Sequence, residues 1–231
     1  MISKYKFNHY AEKMISYFLL MLLVCFAFFP ILVIITGAFK APIDIWSYPP
    51  KIFSRPALIN FTQLGKENPR FFPSLKNSII ITGGALVITL LCSFMSAFAL
   101  SRYKSRLLSY SAFFLIAIRM FPPIVITVPL YNVFRSIGLI DKHITLMIIN
   151  AVFSLSMATM LMKTFVDDVP IELEEAAMID GCSRFKSFWK ITLPLTAPGI
   201  TAVAIFCAIG VWNEYTFALI FSTTRAATTP I

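Results

Sequence analysis

Residues 167–198 read DDVPIELEEAAMIDGCSRFKSFWKITLPLTAP, a polar stretch set between two apolar segments long enough to cross a bilayer. It is therefore a loop at one membrane face. Six of the eleven acidic residues (Asp167, Asp168, Glu172, Glu174, Glu175 and Asp180) crowd into it, on a chain whose net charge is +9. A membrane chain that gathers its acids in one structured loop presents that loop to a partner.

The rest of the chain supports the membrane reading. With 58% hydrophobic and 13% charged residues over 231 positions, it is too apolar and too charge-poor for an ordinary soluble domain. No Asp, Glu, Lys or Arg occurs in 14–39, 77–101 or 143–162. The stretch 107–134 is broken only by Arg119, and 191–224 only by Glu214. A helix needs about 20 apolar residues to span the hydrocarbon core. The charge gaps thus predict an all-α polytopic membrane protein with five spanning helices, over 15–38, 78–100, 108–130, 144–162 and 199–221. All are apolar around their whole circumference, as helices facing lipid and bundle are.

Lys4, Lys6 and Lys13 precede the first span, but its uncharged core is too long for a signal-peptide h-region and no small-x-small cleavage site follows, so it reads as an uncleaved anchor. Cys25, Cys92 and Cys207 fall inside spans and Cys182 in the acidic loop, without metal spacing, and are expected to be small buried hydrophobes. Charge counting leaves orientation open. With the N-terminus inside, inner segments hold ten Lys/Arg and outer segments nine. The density of Arg102, Lys104 and Arg106 in one short turn leans toward that orientation. The basic residues are scattered between spans and form no single face, which excludes nucleic acid as a partner, whereas anionic lipid remains compatible.

Within the acidic loop, Pro170 suits a first helical turn and the acids around it complement the positive end of a helix dipole. Gly181 suits a helix C-terminus, where a left-handed residue is needed. Ser183 can cap a second short helix that places Phe185, Phe188 and Trp189 on one side. Pro194 and Pro198 are expected to close the unit before the fifth span. The small residues Ala176, Ala177 and Gly181 sit together, where a second protein can approach the backbone closely.

The spacing Glu175-Ala176-Ala177, three residues, Gly181, nine residues, Ile191-Thr192-Leu193-Pro194 resembles the "EAA" signature of permease subunits in binding-protein-dependent ABC importers. Pro122-Pro123, Pro129-Leu130-Tyr131, Gly138-Leu139-Ile140-Asp141 and Trp212-Asn213-Glu214 resemble its carbohydrate-uptake branch, similar to the maltose-type permeases. The resemblance covers roughly 75–231. It implies the ABC-importer permease (MetI-like) fold, a single transmembrane permease domain over 1–231, and a cytoplasmic coupling loop over 167–198. It also implies a multi-pass protein of a prokaryotic plasma (inner) membrane with its N-terminus in the cytoplasm. The family usually has six spans, so a chain of five is expected to lack the last helix.

The same resemblance implies roles for particular residues. Glu175 would be the acidic contact to an ATPase, Ala176 and Ala177 the small surface that lets the helix insert, Gly181 the bend, and Asp180 its support. The implied partners are an ATPase subunit dimer, a second permease subunit, an extracytoplasmic solute-binding protein, a small-molecule solute and membrane lipid. No cofactor is expected on this chain. ATP and magnesium belong to the partner ATPase, in keeping with the absence of a Gly-x-x-x-x-Gly-Lys phosphate loop here.

Arg119 and Glu214 are charges placed inside apolar stretches, where each costs about 3 kcal/mol on insertion scales and must face the bundle or a wet cavity. Two readings stand: a structural ion pair, or a lining of the translocation path. Asn150, Trp212, Asn213 and Tyr215 supply hydrogen-bonding and stacking groups of the kind that hold sugars, although Trp212 and Tyr215 equally suit interfacial anchoring. Pro122, Pro123 and Pro129 are expected to kink the third span. The outer loop 40–76, with Trp46, Tyr48, Pro49 and Pro50, could touch a binding protein or partner permease. His9 and His143 are isolated, and no acid–base or metal constellation appears in the spans.

The expected function is that of an ABC transporter permease for a sugar or related solute, a transport subunit and not an enzyme. The alternatives are a permease for another solute class, such as an amino acid or phosphate ester, and a passive channel. A channel needs no docking loop.

Overall fold

In the computed structural model the chain is helical, and the structure describes residues 2–49, 51, 54 and 56–222, with side chains from 12 onward. Arg225, Pro50, and the side chains of Lys4, Lys6 and His9 lie outside the described residues.

Residues Met1–Pro69 and Arg70–Ile231 form two compact units. The first holds α1 (Ile2–Ala38), the short α2 (Pro42–Ile45) and α3 (Ile59–Glu67). Pro30 lies inside α1. Asn60 donates to the carbonyls of Ala38 and Lys40, tying the end of α1 to the start of α3.

The second unit holds α4 (Phe71–Arg102), α5 (Arg106–Ile118), α6 (Pro123–Ser136), α7 (His143–Asp167) and α8 (Ile171–Ile179). After it, α9 (Arg184–Ser187) runs on through a π-helical turn (Phe188–Thr192) into α10 (Leu193–Leu195). Then come α11 (Ala197–Trp212) and α12 (Thr216–Phe221).

The pair α4 and α7 is the spine of this unit. Ile81, Ala85, Thr89, Ser93 and Ala97 recur every fourth residue along α4, and all are buried. Four-residue spacing makes one ridge on a helix, and small side chains let two helix backbones approach where no hydrophobic force from water drives them together. Ala151, Ala158, Thr159 and Met162 of α7 are likewise buried. Thr89 donates across the pair to the Ala151 carbonyl at 3.5 Å. One cluster, with Phe94, Phe98, Met162, Val166, Phe188 and Val203, joins the later halves of both helices to the π turn and α11. A second, with Ile81, Phe134, Leu146, Ile149, Phe217 and Phe221, joins their earlier halves to α6 and α12.

Among the described residues, three helices are long and apolar enough to cross a membrane: Glu12–Ala38, Phe71–Arg102 and His143–Asp167. Two bent pairs bring the number up to five when each is taken as one span. The expected span 108–130 is the first such pair. The kink expected from its prolines is a full break, with Arg106–Ile118 and Pro123–Ser136 meeting at 104°. Pro122 and Pro123 act together here: the first cannot continue a helix, and the second opens α6 in its first turn. Pro129 stays inside α6.

The expected fifth span, 199–221, also differs. It is interrupted at Asn213–Tyr215, between α11 and α12. The helix Arg184–Leu195 meets Ala197–Trp212 at 73°. Pro194 lies within α10 and does not end it; Thr196 is the turning point. In the continuous helix Arg184–Leu195, Pro194 follows directly on the π turn Phe188–Thr192, the kind of local widening at which a helix accommodates a proline.

The four cysteines are free, and only Cys207 is buried, with Cys25 and Cys92 exposed. A membrane helix is apolar on its outer face too, so a cysteine in a span need not point inward.

Gly199 at the start of α11 is a point of closest approach. A Cβ built there would lie 2.2 Å from Cγ and 2.6 Å from Cβ of Phe165, atoms that sit too near the backbone to move aside. Nothing lies within 4 Å of a Cβ at Gly210. Gly199→Ala is therefore expected to destabilise by about 1–3 kcal/mol through overpacking, whereas Gly210→Ala should cost nothing. Thermal unfolding of the two variants in detergent checks this.

Candidate functional sites

Two regions carry the chemistry: the 167–198 loop, and a cavity at the breaks between helices.

In the loop, α8 ends in a paired hydrogen-bond pattern. The N–H of Cys182 donates to the Ala177 carbonyl at 2.9 Å and that of Gly181 to the Met178 carbonyl at 3.1 Å. Gly181 takes φ +87°. This is the glycine-dependent helix stop in which a left-handed residue satisfies the last carbonyls. Ser183 then caps α9 by accepting from the Lys186 N–H at 3.2 Å. The helix–turn–helix expected from the sequence is present, and its second half is lengthened by the π turn.

The faces of α8 are distinct. Glu175, Ala176, Asp180 and Gly181 are exposed, while Ala177 is buried. Of the two alanines, only Ala176 exposes its methyl; Ala177 packs inward, one position further around the helix. Ile179 is 87% exposed. Phe188 is buried, tilted against Phe94 and edge-on to Phe98, with centroids 4.6 and 4.8 Å away. Phe185 and Trp189 remain largely exposed, so the aromatic side is only partly used.

The residue that the spacing argument passed over is Glu174. It is buried and pairs with Arg102 at the end of α4, Nε to Oε1 at 2.9 Å. The same Oε1 accepts from the Thr192 hydroxyl at 2.9 Å. A second guanidinium nitrogen donates to the Val169 carbonyl at 2.8 Å, and a third to Ser101 Oγ at 3.0 Å. Ser101 in turn donates to Asp167, which also receives Lys163. Partial burial works against ionisation of Asp167, yet the hydrogen bonds from Lys163 and Ser101 outweigh it and hold its carboxyl below its ordinary range. Arg184 lies over the Tyr103 ring, 5.3 Å from its centroid.

The second region is a cavity of about 260 Å³ lined by Arg119, Pro123, Asn150, Phe153, Ser154, Met157, Phe206, Cys207, Gly210, Glu214, Thr216 and Phe217. Arg119, Asn150 and Glu214, scattered over the sequence, meet here. Each is put there by local structure. Arg119 is the C-cap of α5, at the break before Pro122. Glu214 lies between α11 and α12, and both its oxygens receive the Phe217 N–H at 3.0 Å, closing the start of α12. Asn150 is buried in α7 and donates to the Leu146 carbonyl at 2.9 Å.

No ion pair within 4 Å joins Arg119 to Glu214 among the described residues. The structural-pair reading does not describe this conformation: Glu214 is turned to a helix N-terminus instead. Trp212, Asn213 and Tyr215 are exposed and do not line the cavity. Asn213 donates back to the Ile209 carbonyl at 2.9 Å. No metal-binding group of three or more His, Cys, Asp or Glu occurs among the described residues. The His143 Nε2 lies 3.0 Å from Asn77 Oδ1.

Residues 89–230, which contain both regions, match the family described as "Binding-protein-dependent transport system inner membrane component". The chain belongs to this family. It is an ABC transporter permease, a component of an inner membrane.

Among its relatives is the trehalose/maltose transport system permease protein MalG of Thermococcus litoralis, 33% identical over 218 residues, covering 92% of this chain and 76% of that protein. The diacetylchitobiose uptake system permease protein DasC of Streptomyces coelicolor is 31% identical, covering 83% and 70%. The sulfoquinovosyl glycerol transport system permease protein SmoH of Agrobacterium fabrum is 28% identical, covering 96% and 78%. A crystal structure of a bacterial ABC transporter involved in the import of the acidic polysaccharide alginate superimposes with a TM-score of 0.76, covering 93% of this permease and 75% of that chain. At 24% identity it shows the shared fold.

The permease's helix stop sets up a specific expectation. A Cβ at Gly181 meets nothing within 4 Å, so Gly181→Ala adds only the cost of a left-handed backbone, about 1–2 kcal/mol. Gly181→Trp should lose the same amount in thermal unfolding, because its ring extends into open space. A much larger loss for Trp would show that the space is occupied.

Proposed function

We propose that this permease subunit forms part of the path for uptake of a sugar or related solute, and that α8 couples it to a separate ATPase dimer. The observation that carries the solute class is the group of relatives named for trehalose/maltose, diacetylchitobiose and sulfoquinovosyl glycerol transport. The cavity is compatible with that class. It is lined by Phe153 and Phe217 beside Asn150, Ser154 and Thr216, apolar walls with a few polar groups of the kind that orient a ligand.

In this reading Arg119, Asn150 and Glu214 line the path. Trp212, Asn213 and Tyr215, which are exposed and do not line the cavity, serve at its mouth or as interfacial anchors. The exposed acids of α8, Glu172 and Glu175, face the cytoplasm, as does the N-terminus, and Glu175 is the acidic contact to the ATPase. Ala176 gives it room to insert, while Asp180 and Gly181 shape the turn. A partner ATPase holds ATP and magnesium, a second permease completes the path, and an extracytoplasmic binding protein delivers the solute. The single permease domain over 1–231, with its coupling loop at 167–198, is the frame for these roles.

Reconstitution with the partner permease, ATPase and binding protein tests the coupling. Glu175→Lys should leave the protein in the membrane while ATP hydrolysis no longer drives uptake; normal uptake by this variant contradicts the reading.

For the path, Glu214→Gln keeps an acceptor for the Phe217 N–H and removes only the charge. Uptake affinity or rate should fall about tenfold, the worth of one charged hydrogen bond. Unchanged affinity and rate remove Glu214 from the path.

A further inference from the structure

We propose that Arg102 and Glu174 are positioning residues: their buried pair locks α8 to the end of α4, so that the loop and the α4/α7 spine move as one body during transport. The proposal rests on the coupling role given to α8 above.

The lock is a junction and not an isolated pair. One guanidinium reaches the α8 carboxylate, the Val169 carbonyl in the link between α7 and α8, and Ser101 of its own helix. The carboxylate also holds Thr192 in the π turn. Three segments, α8, the α7–α8 link and the π turn, are thereby tied to the end of α4 through one ion pair. The side chains of Arg102 and Glu174 are 7% and 6% exposed, so water does not compete for these bonds.

The choice of an ion pair here is informative. Apolar packing is non-directional and lets one helix slide or roll on another. The guanidinium fork fixes both distance and angle. A buried pair adds little net stability over an apolar pair of similar volume, because desolvation offsets the attraction. What it does add is register.

Register is what α8 needs. Successive residues on a helix lie about 100° apart, so turning Glu174 inward presents Glu175 and Ala176 outward, where they are exposed. If the lock slips, the docking face rolls away and a push on α8 is absorbed at the α7–α8 link.

The test uses the complete transporter: this permease with its partner permease, ATPase and binding protein. Three variants are compared: Glu174→Gln, Arg102→Lys, and the double variant Arg102→Met with Glu174→Leu. The readouts are thermal stability, ATPase activity stimulated by the binding protein, and solute taken up per ATP hydrolysed. Glu174→Gln and Arg102→Lys should lower uptake per ATP by about three- to thirtyfold. The apolar double variant should approach native stability without regaining that ratio. The lock is refuted if the double variant recovers uptake per ATP together with stability, or if Glu174→Gln leaves the ratio unchanged. A wild-type complex whose ATPase ignores the binding protein would instead sink the coupling role itself. A responsive wild type with equally responsive variants sinks only the lock.

Discussion

Arg102 ends a membrane-length helix with a charge that the fold then covers. A buried guanidinium must find partners for its donors, and here they come from the α7–α8 link, α8 and Ser101, while the paired carboxylate brings in the π turn. That requirement fixes where the 167–198 loop lies relative to α4. The ridge of small residues on α4 brings α7 close enough for its end to join the same network through Asp167. Packing within the spine and polar contacts at its end thus act in series, one setting distance and the other setting angle.

The cavity follows from the opposite circumstance, helices that stop early. Backbone without helical pairing is tolerated at membrane depth only where protein or a wet cavity covers it. The breaks after Ile118 and after Trp212 both adjoin the cavity, and each contributes a charge, Arg119 and Glu214. Broken helices supply polar atoms to the interior at places where an unbroken span offers only side chains.

Much of this was legible in the residues. Charge gaps located α4 and α7, because an unbroken helix and an uncharged window coincide. They were poor guides to α5, α6, α11 and α12, since a window of apolar residues carries no record of a bend. Pro122-Pro123 marked the place but not the angle, which depends on how α5 and α6 pack. Ser183 and Gly181 were correctly placed because caps and helix stops obey local chemistry. Three glutamates in one short helix could not be sorted by spacing alone. Glu174 turns inward only because Arg102, seventy-two positions earlier, waits there. Ala85, Thr89, Ser93 and Ala97 stand four apart in the sequence, a small-residue ridge that average hydrophobicity does not register.

Whether spine and loop move together is open to direct measurement. Spin labels at Met95 on α4 and Ile179 on α8, both exposed, would report their separation by pulsed electron resonance in the complete transporter. Rigid coupling predicts the same distance distribution without nucleotide and with ATP bound. A shift of several ångström between the two states, with Arg102 and Glu174 intact, would contradict it.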